Sequence, residues 1–288
     1  MTLPEPTSHG AALPELTLGD VLQPGWRVSP RVRALVTTRN GGVSSPPYGR
    51  WHDGVEAPGG LNLGRLAGDE PLCVATNRAR LMDLTGVAEA AWLEQVHGAE
   101  VVDADEVLAR ARAGAPLVRA DASVTNRPGM ICVVMIADCM PVLLCDAAGR
   151  AVGAAHAGWR GLASGVVEKT AQRVAALADT DPGSLHAYLG PSIGPAAFEV
   201  GADVRDAFMK GVDDSQRDAT AQAFVPRADA PGKYLADLPA LARLRLQRFG
   251  VTQITGGDAC TVTQRDRFYS YRRDRVTGRM AAMIWLAD

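Results

Sequence analysis

Short, almost wholly apolar segments broken by turn residues constrain this chain more than any other feature. Met130–Ile136 (MICVVMI), 142–145 and 151–155 (AVGAA) follow one another closely, and Leu185–Leu189 and Met280–Leu286 have the same character. Segments this short and this continuously apolar read as strands buried on both faces, whereas strands with one wet face alternate. Further strands are expected over 33–38, over 91–96 ending at His97, over 251–255 and over 268–271. Helices are expected over 71–84, stopping near Gly86, and over 161–179, where Val166, Val167, Thr170, Val174 and Leu177 fall near helical spacing. Two more are expected over 203–210 and 234–249. Strands outnumber helices and come both in succession and alternating with them, which predicts an α/β or α+β chain with a mixed sheet core rather than a clean Rossmann alternation.

No repeat and no low-complexity linker divides the 288 residues, so the expected organisation is an N-terminal tail over 1–30 and one domain over 31–288. The hydrophobic fraction of 47% supplies a core without disulfides, and the net charge of −2 argues against a nucleic-acid binder. No apolar run is long enough to span a bilayer, and the first residues carry no signal-peptide pattern, so the expected compartment is the cytoplasm. The five cysteines, Cys73, Cys132, Cys139, Cys145 and Cys260, are odd in number and scattered, which does not suggest a disulfide framework. Cys132 and Cys145 sit inside apolar runs and read as small core residues.

His97 (QVHG), Cys139 (ADCMP) and His156 (AAHAG) each lie at an expected strand end beside Gly or Pro. A thiolate and two imidazoles make a plausible zinc set with a fourth position open for chemistry. The spacing alone leaves a second reading open, in which the histidines are hydrogen-bonded to loops and the cysteine is core. Asp138, next to Cys139, suits either a proton shuttle or an orienter of a ligand. The turn Gly158-Trp159-Arg160-Gly161 joins a strand to a helix and offers backbone N–H groups and a guanidinium to an anion. Arg39, opening the loop Thr38-Arg39-Asn40-Gly41-Gly42, is a similar phosphate candidate, with Gly41 and Gly42 permitting close approach. Alternation along 268–271 places Tyr269 and Tyr271 on one face, and Arg272 with Ser270 on the other, making Arg272 a further candidate contact.

These segments resemble the YfiH-type family, long labelled polyphenol oxidase or laccase-domain proteins and now described as purine nucleoside phosphorylases. The matching motifs are TTRNGG (37–42), LNLG (61–64), Asn77-Arg78, QVHG (95–98), ADA (120–122), ADC-x-P (137–141), GAAHAGWRG (153–161), LGPSIGP (189–195), FEVG (198–201) and FYSYRRD…TGRMAAMIWL (268–286). The resemblance implies a single α/β domain with mixed sheets flanked by helices, akin to the catalytic domain of cytotoxic necrotizing factors. It implies metal ligands at His97, Cys139 and His156. It also implies phosphorolysis of adenosine, inosine, guanosine and methylthioadenosine, with deamination of adenosine. The extra N-terminal tail and the insertion over 50–60 depart from the family pattern, and the insertion is expected near the pocket mouth.

Three other readings remain at this point. A copper oxidase, following the older label, fits poorly, because a blue-copper and trinuclear arrangement needs many more histidines than the five present. A cysteine hydrolase acting on an amide, for example in peptidoglycan-precursor editing, would use the same three residues, with Cys139 as nucleophile. A binding protein with a structural zinc would need a fourth ligand, for which Cys260 is the candidate.

Overall fold

The computed structural model describes residues 15–288. Two mixed sheets stack face to face, with helices covering the outer face of each. One sheet has five strands in the order Val21–Leu22, Val32–Thr37, Met280–Leu286, Met130–Ile136, Glu89–Ala91. Its neighbours are antiparallel except for the last pair. The other has six strands, in the order Gln253–Gly256, Leu185–Leu189, Met140–Asp146, Val152–Ala157, Ala122–Thr125, Val101–Asp103. Its outermost pairs are parallel and its inner pairs antiparallel.

The continuous apolar runs follow from this layering. In Met130–Ile136, Ile131 and Val133 face helix Pro71–Thr85 and Leu61 and Leu63 of the LNLG segment. Cys132, Val134 and Ile136 point the other way, into the layer between the sheets. In Met140–Asp146, Leu143 and Cys145 enter that same middle layer, while Met140, Val142 and Leu144 pack under helices Val166–Ala178 and Leu238–Arg248. With no wet face on either strand, neither can show polar alternation. Cys132 and Cys145 are accordingly buried and unpaired, and burial pushes both thiols up.

Several local expectations change. Residues 1–14 of the expected tail lie outside the described residues. From residue 15 the chain is part of the packed body: Leu16 is buried, and Val21–Leu22 pairs with Val32–Thr37. The helix expected over 161–179 is two helices, Trp159–Ala163 and Val166–Ala178. Gly165 between them has φ 87°, which no continuous helix accepts. Residues 234–236 belong to strand Lys233–Ala236, and the helix begins at Leu238, capped by the Asp237 side chain. Helices Ala104–Arg112 and Asp214–Gln222 were not anticipated; the first buries only Ala104, Val107 and Leu108, and the second only Thr220. Residues 268–271 are not a strand. Phe268 and Tyr269 are buried, Ser270 caps the short helix Tyr271–Asp274, and the alternating faces expected there do not exist.

The Arg39 loop is a structural joint rather than an open anion site. Arg39 is buried, with Nε donating to Gly49 O at 3.0 Å and Nη1 to Arg265 O at 3.3 Å. Its Nη2 is ion-paired with Glu56, and its guanidinium lies over the Tyr269 ring at 4.8 Å. Glu56 belongs to the hairpin Arg50–His52/Val55–Ala57, so the 50–60 insertion supplies the partner of Arg39. Gly42 serves the same joint: a Cβ there would collide with Gly60 O, Asn77 Oδ1 and Leu61 Cα. Gly41, at φ 93°, turns the chain into it. Removing one member of a buried ion pair costs about 3–5 kcal/mol; Glu56 is partly exposed, so Arg39→Met is expected to fall at the lower end. Urea unfolding should show the loss as a lowered midpoint, while metal affinity stays at the parent's value.

Candidate metal centre and cleft

The chain passes from one sheet to the other between Ile136 and Met140, and this short corner places Cys139 at the edge where the sheets diverge. Asp138 makes the corner with φ 99°, a conformation rarely adopted by a residue with a side chain. Its carboxylate holds the strain in place. Oδ1 accepts from Thr261 Oγ1 at 2.6 Å and Oδ2 from the backbone N–H of Arg272 at 2.6 Å. The Asp138 carbonyl accepts from Ile193 N at 2.9 Å. The corner is thus tied to the 261 loop, to the helical turn carrying Tyr271 and Arg272, and to the GPSIGP segment.

His156 arrives from the neighbouring strand, where it pairs in register with Pro141, two residues beyond Cys139. Asp121, directly ahead of strand Ala122–Thr125, fixes its ring: Oδ1 lies 2.8 Å from His156 Nδ1. The same carboxylate accepts from the backbone N–H groups of Val96, His97 and Gly98, at 3.2, 2.9 and 2.7 Å. Those contacts hold the 95–98 turn, in which His97 sits at φ 60°. Gln95 locks the turn from the other side, its amide exchanging hydrogen bonds of 2.9 and 2.7 Å with the Met135 backbone. One buried carboxylate therefore positions both histidines.

The ligand atoms of His97, Cys139 and His156 all lie within 4.8 Å of one another. His97 Nε2 is 3.7 Å from Cys139 Sγ, and the two imidazoles meet edge to face with centroids 4.9 Å apart. Bonds of about 2.0–2.3 Å in a tetrahedral centre separate such atoms by about 3.3–3.8 Å, so His97 and Cys139 already stand at a ligand–ligand separation and the widest pair has to close by about 1 Å to hold a metal. The donor chemistry fits. With Nδ1 of His156 anchored to Asp121, the ring's remaining nitrogen is the coordinating one. At Cys139 burial opposes the thiolate, but the charge and hydrogen bond of His156, helped by His97, prevail and lower its pKa. At His156 burial opposes the imidazolium, but Cys139 and Asp121 outweigh it and raise its pKa. Gly158 lets the backbone close over the set, since a Cβ there would stand 2.9 Å from Cys139 Sγ and 3.1 Å from His97 Cδ2. Cys260 is no part of the cluster; its sulfur accepts from Gly194 N at 3.2 Å.

The three residues open into a cleft of about 660 Å³, within the usual range for small-molecule sites. Trp92, Phe198 and Tyr271 supply aromatic walls, and Asp138 and Glu94 its carboxylates. Five arginines, Arg65, Arg78, Arg272, Arg275 and Arg279, line it. Arg272 is here as expected, though its Nη1 is directed at Ala197 O and Glu199 O. Arg160 is exposed, with its guanidinium over Trp159 at 4.4 Å, and is not in the lining; nor is Arg39. Arg78 lies over Trp92 at 3.7 Å, and burial together with the charge of Arg65 lowers it to about 9. Sequence reasoning missed Asp121, Gln95, Arg65, Arg78, Arg275 and Arg279 as site residues. Asp121 had a usable signal, a carboxylate directly before a strand whose neighbour carries a candidate ligand.

The description of the matching family model is multi-copper polyphenol oxidoreductase laccase, and it spans residues 33–287. A purine nucleoside phosphorylase of Pseudomonas aeruginosa is 46% identical over 267 residues, covering 93% of this chain and 98% of that one. Purine nucleoside phosphorylase YfiH of Escherichia coli is 48% identical over 273 residues, covering 93% and 100%. Among solved structures, a Neisseria meningitidis protein superposes with a TM-score of 0.80 at 46% identity, covering 93% of this chain and 100% of that one. YlmD from Geobacillus stearothermophilus gives 0.79 at 29%, covering 93% and 97%. The mixed α/β fold is thus shared with these solved structures. The chain belongs to the YfiH-type, laccase-domain family. No helix among the described residues is long and apolar enough to cross a membrane.

The geometry makes Asp121 the control point of the centre. Loss of such a carboxylate behind a ligand histidine lowers metal affinity about 10–100-fold. Asp121→Asn keeps the shape but removes the charge, and chelator competition is expected to show a loss of that size with the fold intact by circular dichroism. An unchanged affinity would contradict the role assigned to the carboxylate.

Proposed function

We propose that this protein is a zinc-dependent purine nucleoside phosphorylase that converts adenosine, inosine, guanosine or methylthioadenosine, with phosphate, to the free base and the ribose 1-phosphate, and that it also deaminates adenosine. The observation that carries this reading is the convergence of a metal-competent His97–Cys139–His156 set with a cleft walled by aromatic rings and arginines. The names of relatives that match nearly end to end agree with it.

In phosphorolysis a phosphate oxygen bonds to the anomeric carbon of the sugar as that carbon's bond to purine nitrogen breaks. The electron pair leaves with the purine, which takes up a proton. Holding phosphate and nucleoside together in one cleft removes most of the entropic barrier to this encounter. Arg275 and Arg279 flank Tyr271, each with its guanidinium 5.8 Å from the ring centroid, and are the assigned phosphate ligands. They replace Arg39 and Arg160, whose guanidiniums are placed elsewhere. Trp92, Phe198 and Tyr271 offer flat faces to the purine. Asp138, with both oxygens accepting hydrogen bonds, is a positioning residue that holds the Arg272 turn, not a proton carrier. Zinc, held by His97, Cys139 and His156, would supply a positive charge that polarises the reacting group, and in deamination would activate the water that takes phosphate's place. A reducing cytoplasm, the proposed compartment, keeps Cys139 available as a ligand.

The cysteine-hydrolase alternative needs Cys139 free as a nucleophile, whereas a ligand thiolate is occupied. The test is an assay of purified, zinc-loaded protein with inosine and with adenosine, each with and without phosphate. Hypoxanthine and ribose 1-phosphate should form from inosine only when phosphate is present, and ammonia should form from adenosine in either condition. Arg279→Lys should lower phosphorolysis about ten- to a hundred-fold, the equivalent of one charge-assisted contact of about 1.5–3 kcal/mol. It should lower deamination far less. Absence of base release with phosphate present would overturn the proposal.

A further inference from the structure

The charge in the cleft exceeds what one phosphate can neutralise. None of Arg65, Arg78, Arg272, Arg275 and Arg279 forms an ion pair with a carboxylate among the described residues. The cleft's two carboxylates are engaged elsewhere: Glu94 reaches Arg119 at 3.5 Å, and Asp138 accepts from Thr261 and the Arg272 backbone. Even with both carboxylates counted, five guanidiniums leave an excess of three positive charges. A phosphate group carries about −1.5 to −2 at neutral pH. One such group leaves a net charge of about +1 to +1.5, and two bring it to about 0 to −1.

The arginines also fall into two groups. Arg275 and Arg279 each lie 5.8 Å from the Tyr271 ring centroid, and the Arg279 charge interacts with Cys139 and Asp138, so Arg279 borders the metal centre. Arg78 lies over Trp92 instead, where Arg65 is the charge that acts on it, and the Arg279 stem, packed on Gly64, adjoins this second pair. Arg78 is a built feature rather than a stray surface cation. It is more than nine-tenths buried; Nε donates to Leu63 O at 2.9 Å and Nη2 lies 3.6 Å from Met135 Sδ, leaving Nη1 without a protein partner. Holding a buried guanidinium beside a second cation, with no carboxylate, is costly unless an anion joins them.

We infer that Arg65 and Arg78 form a second anion subsite, so that the cleft accepts a purine nucleoside 5′-monophosphate together with inorganic phosphate. The inference rests on the phosphorylase reading, extending its substrate class from nucleosides to nucleotides. The reaction balances as before. The bond from C1′ to the purine breaks, a phosphate oxygen bonds to C1′, and the 5′-phosphate stays on the sugar, giving ribose 1,5-bisphosphate and the base.

Calorimetry on the full, zinc-loaded chain tests this with inosine and inosine 5′-monophosphate as probes, each titrated without phosphate, with one phosphate bound per chain and at saturating phosphate. The monophosphate should bind at least about tenfold tighter than inosine, the yield of one charge-assisted contact. That advantage should persist with one phosphate bound per chain and shrink only as saturating phosphate fills the second subsite. Arg65→Gln, on an exposed side chain, should remove most of the advantage by weakening the monophosphate more than inosine. Equal affinities without phosphate, or an advantage already lost with one phosphate bound per chain, would overturn the second subsite. So would two bound phosphates per chain of which the monophosphate displaces neither. A tight, phosphate-tolerant monophosphate with no base release from any substrate would overturn the phosphorylase reading and leave the two-anion cleft standing.

Discussion

The Asp121 carboxylate is the interaction on which the site depends. It is fully buried, yet it stays ionised. Burial alone would raise its pKa, but the His156 hydrogen bond, the Gly98 and Val96 N–H groups and the His156 charge together bring it below the usual range. A buried carboxylate with two donors on each oxygen is held rigidly, because turning it would break several charge-assisted hydrogen bonds at once. Rigidity at Asp121 becomes rigidity at two ligands. One is bonded directly through its ring; the other sits in a backbone turn wrapped around the carboxylate.

The third ligand is placed by a different device, the corner at 137–139 where the chain changes sheets. The corner keeps an unfavourable φ at Asp138 because the side chain is tied to two loops from the C-terminal part of the chain. The same ties bring Tyr271 and Arg272 to the cleft wall, so metal centre and ligand wall are one construction. Gly161 completes it. A Cβ there would stand 2.6 Å from Gly98 O, so only glycine lets the helix after His156 rest against the turn after His97. Strands from both sheets are needed before any of this exists, and the centre therefore reports on the integrity of the whole fold.

Much of the architecture was legible from the chain because burial on both faces leaves an unambiguous mark. Met130–Ile136, Met140–Asp146 and Met280–Leu286 have no wet face, and their apolar runs say so. The short helices Ala104–Arg112 and Asp214–Gln222 left no comparable mark, since each buries only a narrow stripe. Residues 268–271 misled because aromatic residues next to arginines look like a strand, whereas Ser270 is a helix cap and Tyr269 is core. At the site, His97, Cys139 and His156 stood out by chemistry and by family motif. Arg39 stood out for the wrong reason: an arginine opening a Gly-rich loop suits phosphate, but the hairpin that captures its guanidinium pairs with it only in three dimensions. Arg78 and Arg279 lie inside the family motifs Asn77-Arg78 and TGRM, and Arg65 directly follows LNLG, but nothing local shows that these segments meet at one cleft.

The central claim is that Asp121 and the sheet-to-sheet corner hold one sulfur and two imidazole nitrogens ready for a single metal. Zinc-edge X-ray absorption on the full chain loaded with one equivalent of zinc tests it most directly. The account predicts one sulfur at about 2.3 Å and two imidazole nitrogens at about 2.0–2.1 Å, with a light atom completing the shell. A shell without sulfur, or one with two sulfurs, would contradict it.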